Sequence, residues 1–255
     1  MDDSASAEVP LPGGTTPGVV RVGNTVRRPL KPDAAYIHRL LAHLERRGFG
    51  GAPRFLGVDA HGRTILSFID GVAPPHNGFW LGEQGVRAGA RLLRQVHDLT
   101  VGTEFAAGSE VACHPNLSQP NFIFRVLDNE MIPVAIIDWD GTRPGTRAAN
   151  LAEFLWAFVH PAVYGEGAAA AHMLRVAVDG YGWSGSGGEL VDGMLTEVRD
   201  FQGIVAGDRG AMDWAAAELA YLERNAARFP ESASDTVIRQ RDYVTELLQA
   251  EVHDA

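Results

Sequence analysis

His114-Pro115-Asn116-Leu117-Ser118-Gln119-Pro120-Asn121 is typical of a loop that leads into a β-strand. A second strand is predicted by the apolar run at 132–137, and it ends at Asp138. If the two strands pair as a hairpin across 127–131, the side chains of Asn121 and Asp138 meet at one end. Hard divalent cations prefer such oxygen ligands, so the pattern predicts a metal site. The alternative is an aspartate that only caps the next turn.

The residues before this segment predict a small sheet with one helix. Short strands at 19–22 and 25–28 flank the two-residue turn Gly23-Asn24. Asp33 is expected to cap a helix that runs to about Arg47, and two further strands follow at 54–58 and 64–69.

Two features of this sheet suit phosphate groups. Gly13 and Gly14 belong to a glycine-rich turn whose backbone N–H groups could approach an anion closely. Arg27 and Arg28 follow on the second strand, and a guanidinium group matches the geometry of phosphate oxygens. The alternative interpretations are an ordinary turn and a pair of exposed arginines at a sheet edge.

The residues after the central segment are mostly helical in pattern. Helical periodicity occurs near 149–160, 166–181, 187–205, 211–228 and 234–252. The sequence therefore predicts an α+β protein with two lobes: an N-terminal lobe at 1–71, whose first nine residues form a loose tail, and a larger helical lobe at 72–255.

Composition narrows the classes of function. The chain has 255 residues, 45% of them apolar, and a formal net charge of -10. An acidic protein is a poor partner for nucleic acid but is compatible with cationic small molecules. The single cysteine, Cys113, excludes an internal disulfide and favours a reducing cytoplasm. No apolar stretch has membrane-spanning length, so no membrane partner is expected.

Several motifs together carry a family resemblance. They are, in chain order, His114-Pro115-Asn116 with Asn121, then Ile137-Asp138-Trp139, Gly141-Thr142-Arg143-Pro144-Gly145 and Asn150-Leu151-Ala152. In this order they resemble the aminoglycoside phosphotransferase and choline kinase-like family, whose fold is that of the protein kinases. The resemblance covers nearly the whole chain.

The resemblance implies an ATP- or GTP-dependent phosphotransferase that acts on a hydroxyl group of a small molecule. It implies that Asn121 and Asp138 hold Mg²⁺ on the nucleotide phosphates, and that Arg27 or Arg28 replaces the family's phosphate-binding lysine. The remaining implied nucleotide contacts are the turn at Gly13 and Gly14 and the hinge backbone of Ser67, Phe68 and Ile69.

The chain departs from the family pattern in its catalytic loop. Asn116 stands where the family has the aspartate that accepts or orients the proton of the attacking hydroxyl. Asparagine accepts a hydrogen bond but takes no proton at neutral pH. Pro115 replaces a glycine, and Asn150 replaces a structural aspartate.

Three functions remain open from the sequence. The first is a kinase with a weakened base, in which His114 or Asp140 assists. The second is a pseudokinase that binds nucleotide or a partner. The third is a phosphatase of the haloacid dehalogenase type, because Asp138-Trp139-Asp140-Gly141-Thr142 resembles the first motif of that family.

The sequence gives one indication about the small molecule that would accept the phosphoryl group. The C-terminal half carries many acidic residues, which would attract an aminated sugar or another cationic amine. The alternative is that these residues are the solvated faces of helices.

Overall fold

A computed structural model describes residues 7–11, 17–74, 79–165 and 167–225. Its N-terminal part is a five-stranded antiparallel sheet of strand order β1-β2-β3-β5-β4, flanked by helix α1. The bounds are β1 Val9–Pro10, β2 Val20–Val22, β3 Thr25–Pro29, α1 Ala34–Arg46, β4 Phe55–Val58 and β5 Arg63–Ser67. The predicted hairpin at Gly23-Asn24 joins β2 to β3, and α1 buries its apolar face of Ile37, Leu40, Leu41 and Leu44.

The C-terminal part is mostly helical and encloses two short sheets. Its elements are α2 Glu83–Thr100, β6 Val111–Cys113, β7 Phe122–Leu127, β8 Glu130–Ile136, β9 Arg143–Gly145, α3 Arg147–Glu153, α4 Ala168–Tyr181, α5 Gly187–Ile204 and α6 Arg209–Asn225. Strands β6 and β9 pair, and β7 pairs with β8. This mixed α+β architecture confirms the predicted fold class.

The central hairpin forms as the sequence predicts. Strands β7 and β8 pair antiparallel, and the turn residues Asp128 and Asn129 have φ values of 50° and 61°. Two successive positive φ angles are typical of a type I′ turn, whose twist matches that of the strands. The register places Phe122 opposite Ile136, and the N–H of Ile137 donates to the carbonyl of Asn121 at 2.8 Å. The hairpin therefore brings position 121 beside position 138.

The segment that connects the N-terminal sheet to the C-terminal part requires a glycine at position 71. Gly71 has φ 139°, and a Cβ atom there would lie 2.5 Å from the carbonyl oxygen of Phe124. Val72, the next residue, pairs with Phe124 through two backbone hydrogen bonds of 2.8 and 2.9 Å. The N-terminal lobe boundary at residue 71 stays a prediction.

Several local expectations change. Asp33 occupies the N-cap position of α1 as predicted, but its carboxylate makes no capping hydrogen bond and accepts the N–H of Gly141 at 2.7 Å instead. The helix expected at 149–160 is α3 followed by a wider π-helical segment at Phe154–Val159, which is fully buried. The helix predicted at 234–252 lies outside the described residues. Within the described ranges, no helix combines the length and apolarity needed to cross a membrane.

Candidate active site

A cleft of about 630 Å³ lies between the N-terminal sheet and the central hairpin. Its N-terminal side includes Arg28 and Lys31, and its opposite side includes Asn116. The other predicted site residues that line it are Ser67, Phe68, Ile69, Asn121 and Asp138. The structure therefore brings most of the predicted residues to one cavity. Gly13 and Gly14 lie outside the described residues.

Arg28 reaches across the cleft to the residues after β8. Its Nη2 atom lies 3.2 Å from Oδ1 of Asp138, and it also pairs with the carboxylate of Asp140. The Arg28 side chain is 13% exposed, whereas that of Asp138 is 52% exposed. The guanidinium group of Arg28 therefore holds the carboxylates of Asp138 and Asp140 at this end of the cleft.

Arg27 does not belong to the cleft, which corrects its assignment as a phosphate-binding candidate. Because side chains alternate along a strand, Arg27 and Arg28 point to opposite faces of β3. Arg27 is buried, pairs with Asp59 at 3.8 Å and contacts the hydroxyl of Thr25.

Asn121 and Asp138 offer oxygen atoms at the same end of the hairpin. The Nδ2 atom of Asn121 donates to the carbonyl of Asn116 at 2.9 Å, which leaves Oδ1 as the side-chain atom suited to a cation. Asp138 has φ 60°, a left-handed conformation that directs its exposed carboxylate from the strand end. An amide oxygen and a carboxylate are ligand types that Mg²⁺ accepts, but Arg28 already pairs with the carboxylate of Asp138.

The hinge segment is partly committed to protein contacts. The N–H of Ser67 donates to the carbonyl of Arg54 at 2.9 Å. The N–H of Phe68 donates to the backbone carbonyl of Asn24 at 2.9 Å. A nucleobase at this position would therefore meet carbonyl groups or the peptide of Ile69. Among the predicted nucleobase contacts at 67–69, the N–H groups of Ser67 and Phe68 are therefore already used.

Asn116 is exposed in the cleft and held by its own loop. Its Oδ1 atom accepts the N–H of Ser118 at 3.1 Å. An aspartate could make the same contact, so the asparagine does not arise from a geometric need. The side chain can orient a hydroxyl group, but it cannot hold the proton.

His114 is buried and lies away from the cleft surface, which corrects the suggestion that it assists the chemistry. Its Nε2 atom donates to the carbonyl of Ile137 at 3.0 Å, and its Nδ1 atom accepts the N–H of Asn116 at 3.3 Å. Burial lowers the pKa of His114 to about 4, so the ring is neutral. His114 links the loop at 114–121 to the end of the central hairpin.

Glu153 is the site residue that sequence reasoning missed. It is 7% exposed and accepts the N–H of Leu117 at 3.1 Å, next to Asn116. The available signal was a single acidic residue within the apolar run Leu151 to Val159, since carboxylates are rarely buried without a role. Burial, followed by the nearby Glu197, raises the pKa of Glu153 to about 7, although Leu117 and Arg143 oppose the shift.

This pKa predicts a pH-dependent contribution to stability. A carboxyl group whose pKa rises on folding stabilises the protein fully below its unfolded pKa, near 4.5, and this contribution is lost as the pH rises through about 7. Between pH 5 and 8, wild type should lose about 2–3 kcal/mol relative to Glu153→Gln. Denaturant unfolding of both proteins across this range measures the difference. Buried histidines contribute equally to both, so a constant difference would contradict the prediction.

Comparison with known proteins assigns the family. The chain is 31% identical over 216 residues to the trifolitoxin immunity protein of Rhizobium leguminosarum bv. trifolii. The similarity covers 74% of this chain and 80% of that protein. The chain belongs to the trifolitoxin immunity protein family. No family model matches the sequence.

Solved structures confirm the fold of this immunity protein family member. A streptomycin–ATP complex of the aminoglycoside phosphotransferase APH(2″)-IIa matches with a TM-score of 0.53 and 14% identity, over 89% of this chain and 94% of that one. A choline/ethanolamine kinase family protein from Mesorhizobium loti matches with a TM-score of 0.52 and 16% identity, over 86% and 87%. At these identities the likeness concerns the fold.

The fold also corrects one alternative. A haloacid dehalogenase-type phosphatase requires a parallel sheet alternating with helices, whereas every strand pair among the described residues is antiparallel. The chain after Asp138 is mostly helical. The similarity of residues 138–142 to the first motif of that family is therefore a coincidence of short sequence.

Proposed function

We propose that this protein is a phosphotransferase that moves the γ-phosphoryl group of ATP or GTP to a hydroxyl group of a small molecule. The observation that carries the proposal is the meeting of Arg28, Asn121 and Asp138 at one end of the interlobe cleft. When bound, the magnesium–nucleotide supplies an electrophilic phosphoryl group whose negative charge the metal partly neutralises. Asn121 and Asp138 would hold the metal, and Arg28 would bind phosphate oxygens.

Asn116 orients the acceptor in this proposal. Phosphoryl transfer depends mainly on positioning and charge neutralisation, so a residue that only accepts a hydrogen bond can support it at reduced rate. The proton of the hydroxyl would leave to solvent, because Asn116 is exposed and cannot take it. A slow reaction is therefore expected.

The family supports a protective role for this chemistry. The relative is named for immunity to trifolitoxin, so we place the reaction in defence against a toxic compound. The acceptor is then that compound or a molecule it depends on, and the acidic helical lobe favours a cationic or aminated one. A cytoplasmic location is part of the proposal, and burial that raises the pKa of the Cys113 thiol to about 12 leaves that thiol inert there.

A second candidate is a pseudokinase that protects by binding alone. Two observations favour it: Asn116 lacks a proton-accepting group, and Arg28 is paired with Asp138, the proposed metal ligand. A metal ion would have to displace or share that contact. This candidate binds nucleotide without turnover.

Thermal unfolding with ATP or GTP, with and without Mg²⁺, tests nucleotide binding. A ligand at about a hundred times its dissociation constant stabilises the folded state by about 2.7 kcal/mol, which corresponds to about 5–10 °C in a chain of this size. We expect this shift only with nucleotide and Mg²⁺ together. Adenosine and guanosine are the controls, since they lack phosphates. No shift with either nucleotide would contradict both candidates.

A further inference from the structure

A buried carboxylate lies beneath the loop that carries Asn116. Glu153, at the end of α3, accepts the N–H of Leu117 through Oε1 at 3.1 Å and the Nδ2 group of Asn150 through Oε2 at 2.9 Å. A buried carboxyl group is costly without hydrogen-bond partners, and each of its two oxygens has one here. Each of the two contacts therefore matters to the loop.

Asn150 connects the same helical turn to the other side of the loop. Its Nδ2 atom donates to the carbonyl of His114 at 2.9 Å, and its Oδ1 atom accepts the N–H of His114 at 3.1 Å. Residues 114 and 117 flank Asn116, so α3 holds the loop on both sides of the residue that faces the cleft.

The orientation of the Asn150 amide is determined by a further contact. Its Oδ1 atom is 3.1 Å from Nε2 of His97, whose Nδ1 atom is 2.7 Å from the hydroxyl of Tyr181. A neutral His97 that donates from Nε2 satisfies both contacts, and burial lowers the pKa of His97 to about 4, which keeps it neutral. The Nδ2 atom of Asn150 is thereby directed at Glu153 and the His114 carbonyl.

We propose that Glu153 is a positioning residue: its carboxylate, bridging the Leu117 N–H and the Asn150 amide, fixes the backbone on which Asn116 is presented to the acceptor. The inference rests on the proposed function for the identity of the acceptor, but the structural effect on the loop does not. Glu153 is not a proton acceptor for the substrate, because it is buried under the loop and does not line the cleft.

Hydrogen exchange of the loop tests the proposal without any turnover. Glu153→Gln retains the size of the side chain, but its one oxygen cannot accept both hydrogen bonds. Glu153→Asp retains the carboxyl group but is one methylene too short to reach both partners. We expect the amides of residues 114, 116–119 and 121 to exchange about tenfold faster in each variant, while the amides of α2 and α4 stay protected.

Glu197→Gln is the matched control. Glu197 is a nearby carboxylate on α5 that changes the pKa of Glu153 through its charge. Arg143 also changes the pKa of Glu153 through its charge. Its removal should leave exchange of the loop unchanged. Unchanged exchange in both Glu153 variants, in otherwise folded proteins, would overturn the proposal, as would equal loosening by Glu197→Gln.

Two further measurements cover the remaining outcomes. If a Glu153 variant does not fold, the amide proton shift of Leu117 in wild type should follow the titration of Glu153, and a shift that ignores pH would overturn the proposal. If turnover is observed, Glu153→Gln should lower kcat by about tenfold and leave the KM for nucleotide unchanged. Faster loop exchange in a protein that binds no nucleotide would retain this inference and reject the proposed function.

Discussion

Asp138→Asn should abolish the magnesium-dependent part of nucleotide binding and lower any phosphoryl transfer by about 10³-fold. Asp138 is the charged ligand that we propose for the metal, and a bound metal would contribute several kcal/mol of charge stabilisation in the transition state. Loss of the charge also frees Arg28 from one of its two carboxylate partners. Calorimetry with nucleotide and Mg²⁺, followed by release of the nucleoside diphosphate, measures both effects.

Asparagine is the informative replacement because of the backbone. Asp138 has φ 60°, a left-handed conformation that Asn adopts readily and that costs most other residues about 1–2 kcal/mol. The variant therefore removes the charge without adding strain. Asp128→Asn is the matched control: Asp128 also has positive φ, at 50°, but lies on the exposed turn between β7 and β8. Equal metal-dependent binding in wild type and Asp138→Asn would reject the assignment of the metal site.

The sequence predicted those parts of the fold that depend on local pattern. Helix α1 and the hairpin of β7 and β8 follow from apolar periodicity and from a short polar turn, and both form as expected. Because the hairpin register is determined by its turn, the proximity of Asn121 to the residues after β8 could also be predicted. These contacts are close in sequence, so their geometry is set by the chain itself.

The sequence could not predict contacts between distant elements. Adjacent residues of a strand face opposite sides, so one of Arg27 and Arg28 had to leave the cleft, but the choice depends on how the sheet packs against α1 and the hairpin. Asp33 is a preferred N-cap residue at the N-cap position, yet its carboxylate binds the N–H of Gly141, 108 positions away. Tertiary contacts outweighed local preference in both cases.

Glu153 shows a third limit. Its position in an apolar run indicates burial, but the donors that satisfy it, Leu117 and Asn150, are known only once α3 is placed under the loop. The motif around Asn150 suggested a structural residue there, and the structure shows that Asn150 works together with a carboxylate one helical turn later. The sequence pattern predicted the helix, but only the packing of α3 against the loop shows what Glu153 binds.

Asn116→Asp should raise turnover by about 10²–10⁴-fold, because it restores a group that can accept the proton of the attacking hydroxyl. The geometry permits the exchange: Oδ1 of Asn116 accepts the Ser118 N–H at 3.1 Å, and a carboxylate accepts the same bond. The side chain is exposed, so the new charge stays solvated. Release of nucleoside diphosphate with water as acceptor provides an assay that needs no knowledge of the natural substrate.

Asn129→Asp is the control for the added charge, since Asn129 lies on the exposed hairpin turn and the substitution alters net charge equally. It should leave turnover unchanged. A parent without detectable turnover and an active Asn116→Asp variant would identify the parent as a pseudokinase that retains a working nucleotide site. A parent with turnover that the variant raises only a few-fold would mean that positioning, supplied by the loop and by Glu153 beneath it, accounts for nearly all of the catalysis.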